Sequence, residues 1–250
     1  MSSLNIYWGT KLLGNINYKC IPSNMPKIDV STWPKVSDHN RCYVMYDGKT
    51  FCFMPFKTNY VNYKKIAVIV ESPHKYEFDK NFNPLVPLNG PSGYKFSISI
   101  ISRLQKWFSK EPLKKNTLFQ IRIINPIQYQ TSLYHLLNNQ IPYISVATQK
   151  RKYSLNQYLR NKVWKLLFQE AAQITNCQVD FINRIAQYNP DYIVNCCTSF
   201  NKKTLLINGF TTLSAQQKEA DITLKYIVRN SFISNSINIK YMEDYHPFGW

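Results

Sequence analysis

Hydrophobic residues fall in short runs along this chain, and four of these runs predict β-strands. They are residues 66–70 (IAVIV), 119–125 (FQIRIIN), 191–197 (DYIVNCC) and 238–245 (NIKYMEDY). Short apolar runs rich in β-branched residues are typical of strands that are buried on both faces of a sheet. Each run ends in polar residues, so the pattern predicts polar side chains where strands stop.

The turn after the first run carries the most distinctive polar residues. Residues 66–70 are followed directly by Glu71, Ser72, Pro73 and His74. Because proline cannot continue a strand ladder, the chain must leave the sheet at Pro73. Open α/β sheets bind ligands at the carboxyl ends of their strands. We therefore expect Glu71 and His74 to lie at a crevice.

Helical patterns separate the predicted strands. Residues 91–108 have apolar positions at helical spacing, with Ser92 or Ser97 as the candidate N-cap. Further helices are predicted over residues 155–173, 178–190, 199–209 and 214–235. Strands that alternate with helices are typical of a parallel sheet. The pattern therefore predicts an α/β fold.

Residues 1–62 differ from the rest and predict a β-rich N-terminal extension packed on the core. Residues 42–53 (CYVMYDGKTFCF) predict a hairpin that turns at Asp47-Gly48. The main α/β domain is expected over residues 63–250. A long loop rich in Pro, Asn and Gly follows the first strand, over residues 75–93, and loops of this length are usually functional.

The charge of the chain favours an anionic partner. Its 250 residues contain 31 Lys and Arg against 14 Asp and Glu, a net charge of +17. Nucleic acid is the leading candidate, specifically DNA, although a basic chain can also be merely well solvated. The densest basic segment contains Lys150, Arg151, Lys152, Arg160, Lys162 and Lys165. On the helix predicted over residues 155–173, Arg160 and Lys165 lie opposite the apolar stripe, which places them toward solvent or a phosphate backbone.

Other classes of protein find no support in the sequence. No apolar stretch approaches the roughly 20 residues that span a bilayer, so we expect a cytoplasmic protein without a membrane partner. The six cysteines form no CxxC pair, so they indicate neither a zinc site nor a disulfide framework. No cofactor, metal or protein partner is predicted.

Five short motifs occur in an order that resembles the uracil-DNA glycosylase superfamily. They are residues 71–74 (ESPH), 93–97 (GYKFS), 123–125 (IIN), 195–203 (NCCTSFNKK) and 245–248 (YHPF). The resemblance covers residues 66–250. It implies a three-layer αβα fold around a mostly parallel four-stranded sheet, with residues 1–62 outside the shared part.

The resemblance also implies roles for individual residues. Catalysis falls to Glu71, Ser72 and His246, and recognition of the base to Phe96, Asn125, His74 and Tyr94. DNA contacts are implied for Lys150, Arg151, Lys152, Ser199, Lys202, Lys203, Phe248 and Trp250. One departure concerns Ser72, which stands where the superfamily commonly has Asp. Glu71 is then the only acid of its motif, with Glu77, Asp79 and Asp244 as the other acids nearby.

The same residues suit the cleavage of an N-glycosidic bond on chemical grounds. The reaction passes through an oxocarbenium-like sugar, so the site needs an anion or an oriented water near the sugar and a donor for the leaving base. The base must also leave the stack, which requires an aromatic platform, an amide for the base edge and a positive groove. Glu71, His246, Phe96, Asn125 and the basic segment supply these groups.

We therefore expect a DNA glycosylase that releases a modified base and leaves an abasic site. The ESPH motif resembles superfamily members that act in defence against phages, and the long loop suggests a pocket for a large base such as glucosylated hydroxymethylcytosine. Three alternatives stay open. They are a uracil or mismatch repair glycosylase, a non-catalytic module that binds modified DNA, and a nuclease or nucleotide hydrolase with clustered carboxylates.

Overall fold

The structure, a computed structural model, describes residues 2–18, 27–56, 60–131, 145–148, 151–154, 160, 162–197, 228–232, 239–247 and 250. Side chains are described for most of these residues, but not for 2, 3, 16–18, 145–148 and 151–154. Among the described residues, no helix is long and apolar enough to cross a membrane.

Strands and helices alternate along most of the described chain. In chain order the strands are β1 (Ser2–Trp8), β2 (Lys11–Tyr18), β3 (Ile28–Asp29), β4 (His39–Tyr46), β5 (Phe51–Met54), β6 (Lys64–Ile69), β7 (Thr117–Ile124), β8 (Ser145–Thr148), β9 (Arg151–Ser154), β10 (Tyr192–Asn195) and β11 (Lys240–Glu243). The α-helices are α1 (Pro91–Trp107), α2 (Ala172–Thr175) and α3 (Cys177–Tyr188). Short 3-10 helices cover Val30–Thr32 and Lys75–Glu77, and a π-helix covers Leu166–Glu170.

A six-stranded mixed sheet forms the centre of the molecule, in the order β11-β10-β6-β7-β4-β5. Strands β11, β10, β6 and β7 pair in parallel, whereas β4 and β5 are antiparallel to their neighbours. The predicted α/β class is confirmed, and each of the four apolar runs contains one of the parallel strands. The predicted strand number of four is too small, because the hairpin of β4 and β5 pairs with β7 and extends the sheet.

Both faces of the sheet are covered, as the alternating side chains of β6 show. Ile66 and Val68 lie in one core cluster with the apolar side of α1. Ala67 and Ile69 lie in a second cluster with residues 163–185. The small sheet of β1, β2 and β3 also packs there, through Leu4 and Ile6. The predicted N-terminal extension therefore contributes to the central sheet and to one core layer.

Two details of the predicted helices differ from the structure. Helix α1 starts after Gly90, which provides no side-chain cap, and the predicted serine caps are wrong. Pro91 suits this position because the first turn of a helix lacks partners for its N–H groups. The helix predicted over residues 155–173 is interrupted by the π-helix at Leu166–Glu170, which changes the direction of the side chains beyond it.

The helices predicted over residues 199–209 and 214–235 lie largely outside the described residues. Within that region the structure describes residues 228–232, which are helical and whose Val228 and Phe232 join the second core cluster.

Candidate functional site

The carboxyl ends of the parallel strands bring several candidate residues to one edge of the sheet. Beyond β6, Val70 N donates to Ile124 O at 3.0 Å, so the pairing with β7 continues to the residue before Glu71. Asn125 follows β7 directly, and Asp244 follows β11, where its N–H donates to Asn195 O at 3.1 Å. The residues that follow β6, β7 and β11 therefore share one edge, as the sequence predicts.

Glu71 is buried at this edge and forms an ion pair with Arg160. Trp164 supports the same turn by donating its Nε1 hydrogen to Glu71 O at 2.9 Å. The prediction that Arg160 faces solvent or phosphate is wrong, because a buried carboxylate requires an opposite charge. Burial lowers the pKa of Arg160 to about 10, so the guanidinium stays charged at neutral pH.

Lys165, the other cation predicted to face outward, is also turned away from solvent. It is 9% exposed and pairs with Glu170 at 3.2 Å. A partly buried lysine with its own acid is poorly placed to contact phosphate. Among the described residues of the predicted basic helix, Arg160 and Lys165 therefore have roles inside the protein.

His246 follows β11 and lies near the Glu71–Arg160 pair. Burial lowers the pKa of His246 to about 3, and the positive charges of Arg160 and His74 lower it further. The imidazole is therefore neutral at physiological pH. A neutral imidazole has one N–H donor and one acceptor nitrogen. Such a group can donate a hydrogen bond to a developing anion without carrying a charge itself.

Asn125 is fully buried, and neither Oδ1 nor Nδ2 of its side chain has a hydrogen-bond partner within the described part of the chain. Its backbone is firmly held, since Arg184 Nη2 donates to Asn125 O at 2.9 Å. A buried amide without partners is rare, because each unmet polar group costs about 1–3 kcal/mol. The Asn125 side chain is therefore the clearest indication of a ligand at this edge.

Glu77 lies beside this amide. It is 4% exposed, its Oε1 accepts from Leu88 N at 3.0 Å, and its Oε2 has no partner among the described residues. Burial raises the pKa of Glu77 to about 8, while N–H groups of Leu88 and His74 and the Asn125 amide lower it by less. The amide is thus near enough to act on the carboxyl, although no well-aligned hydrogen bond joins them.

The loop before α1 holds Glu77 through close backbone contacts. A Cβ on Gly93 would lie 1.5 Å from Leu88 O, so only glycine lets the helix approach the residue that binds the Glu77 carboxyl. Gly90 has φ +132°, and a Cβ there would lie 2.7 Å from Tyr76 Cβ. The GYKFS motif therefore has a structural role in fixing this loop.

Ser72 is partly buried, and its Oγ lies 2.9 Å from Thr131 Oγ1. The preceding residue, Gln130, is 1% exposed, and both atoms of its amide lack partners among the described residues. The turn after β6 and the segment after β7 thus face each other through polar side chains.

The remaining candidate base contacts differ in exposure. Phe96 is 1% exposed and stacks on Trp250, with ring centroids 5.4 Å apart and planes inclined by 26°. A base can reach the Phe96 ring only if a neighbour moves. Tyr94 is 67% exposed on α1, and His74 is exposed and stacks on Tyr76.

Two acids named as alternatives to Glu71 have structural partners. Asp79 Oδ1 accepts from the N–H groups of Asn81 and Asn83 in an exposed turn. Asp244 is buried and accepts from Trp107 Nε1 at 2.7 Å and from Arg103 Nη1 at 3.3 Å. Both carboxylates stabilise local structure.

Several predicted DNA contacts lie outside the described residues, namely Lys150, Ser199, Lys202, Lys203 and Phe248. Arg151 and Lys152 begin β9, which pairs with β8 in a separate hairpin, but their side chains lie outside the described part. Trp250 is partly buried, with Arg103 over its ring at 5.3 Å. In the described parts of the chain, no group of three or more His, Cys, Asp or Glu side chains is placed to hold a metal ion.

Sequence reasoning named Glu77 only as a nearby acid and gave Arg160 the wrong partner. The signal for Glu77 was its position in a long loop directly after the first strand, which the pattern indicated as functional. The ion pair of Glu71 with Arg160 has no local signal, because it joins distant parts of the chain.

Together these residues provide a neutral imidazole, a paired carboxylate and a free amide at one sheet edge. Such a set can bind a planar polar ligand and act on charge that develops next to it. No protein-family model, no curated protein and no solved structure matches this chain.

Proposed function

We propose that this protein is a DNA glycosylase that hydrolyses the N-glycosidic bond of a modified base and leaves an abasic site. The observation that carries the proposal is the Asn125 amide, which is buried without partners at the edge where Glu71 and His246 also lie. An extruded base would supply the missing hydrogen bonds. The net charge of +17 suits a DNA partner.

The parallel strands support the finer proposal of a uracil-DNA glycosylase-like core. Strands β11, β10, β6 and β7 are adjacent and parallel, and helices cover both faces of this part of the sheet. In this proposal residues 63–250 form the glycosylase domain, and residues 1–62 form an extension that enlarges its sheet.

The proposed reaction divides charge between two sides of the site. Departure of the base leaves positive charge on the sugar and negative charge on the base. Glu71 stabilises the sugar cation and orients the attacking water, with Ser72 holding the turn. Neutral His246 donates its N–H to the leaving base, and Arg160 adds a positive charge behind it. Groups fixed before the reaction are effective because they need no reorganisation.

The substrate in this proposal is a modified base of phage DNA, as in the glucosylated hydroxymethylcytosine that the resemblance suggests, and the role is defence of the host cell. To test it, the purified protein is incubated with genomic DNA from phages that carry different base modifications, and released bases are identified by mass spectrometry. Wild type should release one modified base, and Asn125→Ala should release none. If no DNA yields a free base, the proposal is wrong.

One observation favours a second candidate, a non-catalytic module that binds modified DNA. The Glu71 carboxylate is already neutralised by Arg160, which weakens its attraction for a sugar cation. A binding module would retain affinity for modified duplexes and leave them stable to alkali. Alkaline cleavage of a bound duplex therefore separates the two candidates.

A further inference from the structure

We propose that Glu77 joins Asn125 in recognising the edge of the extruded base, and that the two side chains select a cytosine-type edge over a uracil-type edge. This inference rests on the proposed function and specifies its substrate class. It assigns a binding role to a loop residue that lies outside the five sequence motifs.

The geometry places both side chains in one buried position with three polar atoms unmet. These atoms are Glu77 Oε2 and both amide atoms of Asn125, and none has a partner among the described residues. Their residues are 4% and 0% exposed. Solvent therefore does not satisfy these groups, and a bound ligand with matching donors and acceptors would.

The Glu77 carboxyl is fixed in direction before any ligand arrives. Glu77 N donates to His74 O at 2.8 Å, and Leu85 N donates to Glu77 O at 2.8 Å. Leu88 N occupies Oε1 at 3.0 Å. Because Oε1 is already an acceptor for this N–H, a proton on the carboxyl belongs on Oε2. Glu77 then offers one O–H donor beside the Asn125 amide.

This arrangement matches one type of base edge. Cytosine has an acceptor at N3 and an amino donor at N4, whereas uracil has a donor at N3 and an acceptor at O4. Glu77 Oε2–H can donate to N3 of a cytosine while N4–H donates to Asn125 Oδ1. With uracil, two donors would meet at N3. The Asn125 amide alone distinguishes the edges less well, since it can present either atom.

The protonation state of Glu77 supports this selection. Burial raises the pKa of Glu77 to about 8, so the carboxyl is mainly neutral at pH 7. The titratable and charged groups around it are His74 on its own loop, His246 after β11 and the Glu71–Arg160 pair. His246 is neutral and the ion pair is internally balanced. Loss of the Glu77 proton would replace the donor at Oε2 with an acceptor and favour the uracil edge.

The test compares two duplexes that differ only in the base edge, one with 5-glucosyloxymethylcytosine and one with 5-glucosyloxymethyluracil. A 2′-fluoroarabino sugar at the target prevents hydrolysis, so dissociation constants can be measured between pH 6.5 and 8.5. Wild type should prefer the cytosine edge, and the preference should fall by up to about tenfold for each pH unit. Glu77→Gln should show no pH dependence, and His74→Asn should retain it.

The inference is overturned if wild type binds both duplexes equally at pH 6.5, prefers the uracil edge there, or shows a constant preference across the range. The wild-type profile decides this even if Glu77→Gln does not fold. Base release from the same duplexes with ordinary deoxyribose tests the proposed function separately. A pH-dependent preference without release contradicts the glycosylase, whereas release with a constant preference contradicts only the role of Glu77.

Discussion

Replacing Glu71 with Gln should affect stability and catalysis by separable amounts. The change keeps the shape of the side chain and removes its charge, which leaves Arg160 without its counter-ion at a site where Glu71 is 2% exposed. Removing one partner of a buried ion pair costs about 3–5 kcal/mol. Arg160 is 23% exposed, so we expect the lower end, about 3 kcal/mol. For a domain of this size that is a loss of about 6–12 °C in Tm.

Base release should fall further than stability can explain. Loss of one well-placed electrostatic group typically slows a reaction about 10² to 10³-fold, so Glu71→Gln should bind modified DNA normally and release base at least a hundredfold more slowly. The double variant Glu71→Gln/Arg160→Met leaves no unpaired charge and should recover much of the stability. Its base release should stay slow, because the carboxylate is still absent.

The assays are denaturant unfolding and single-turnover base release at saturating protein. Glu111→Gln is the matched control, since Glu111 pairs with Lys240 at 2.6 Å on the surface and its loss should cost no more than about 1 kcal/mol. Recovery of activity together with stability in the double variant would make Glu71 a structural residue. Near-full activity of Glu71→Gln, with loss in Asp79 or Asp244 variants, would place the catalytic acid elsewhere.

Three further predictions concern the base, the imidazole and the DNA backbone. Asn125→Ala should abolish base release and leave DNA binding largely intact, as measured by titration, because a base-edge contact is worth about 1–3 kcal/mol and contributes nothing to phosphate contacts; an active variant would exclude Asn125 from the pocket. As pH falls below 6.5, wild type should lose up to about 3 kcal/mol by pH 4, because the His246 imidazole accepts a proton in the unfolded chain and resists it when folded. Denaturant unfolding of His246→Asn should show a smaller loss, and an equal loss would contradict the lowered pKa. Replacing Lys150, Arg151 and Lys152 together should weaken binding to all DNA alike and reduce the salt slope by about 0.9 per lost contact, whereas an unchanged slope would remove this segment from the interface.

The strands of the central sheet were predictable because each is written locally in the chain. A strand buried on both faces needs an uninterrupted apolar run, and residues 66–70 and 119–125 show this directly. The turn at Asp47-Gly48 likewise indicated its hairpin. The place of that hairpin in the central sheet was not predictable, since β4 pairs with a strand some seventy residues later in the chain.

The candidate site was predictable where residues follow strands and unpredictable where distant segments meet. Glu71, Asn125 and His246 were found because polar residues at strand ends stand out from apolar runs. Arg160 was misplaced because helical periodicity alone puts it on the polar side, whereas the buried charge of Glu71 draws it inward. The role of Glu77 depends on burial, which sequence patterns within a loop do not indicate.

The most direct test of the central claim counts two products of one reaction on a defined duplex. A single 5-glucosyloxymethylcytosine is placed in the duplex, and free base and alkali-labile sites are quantified together under single-turnover conditions, with and without EDTA. A glycosylase of this kind should yield one free base for each abasic site and should be unaffected by EDTA. Stable duplexes that remain bound, or strand breaks without free base, would contradict it.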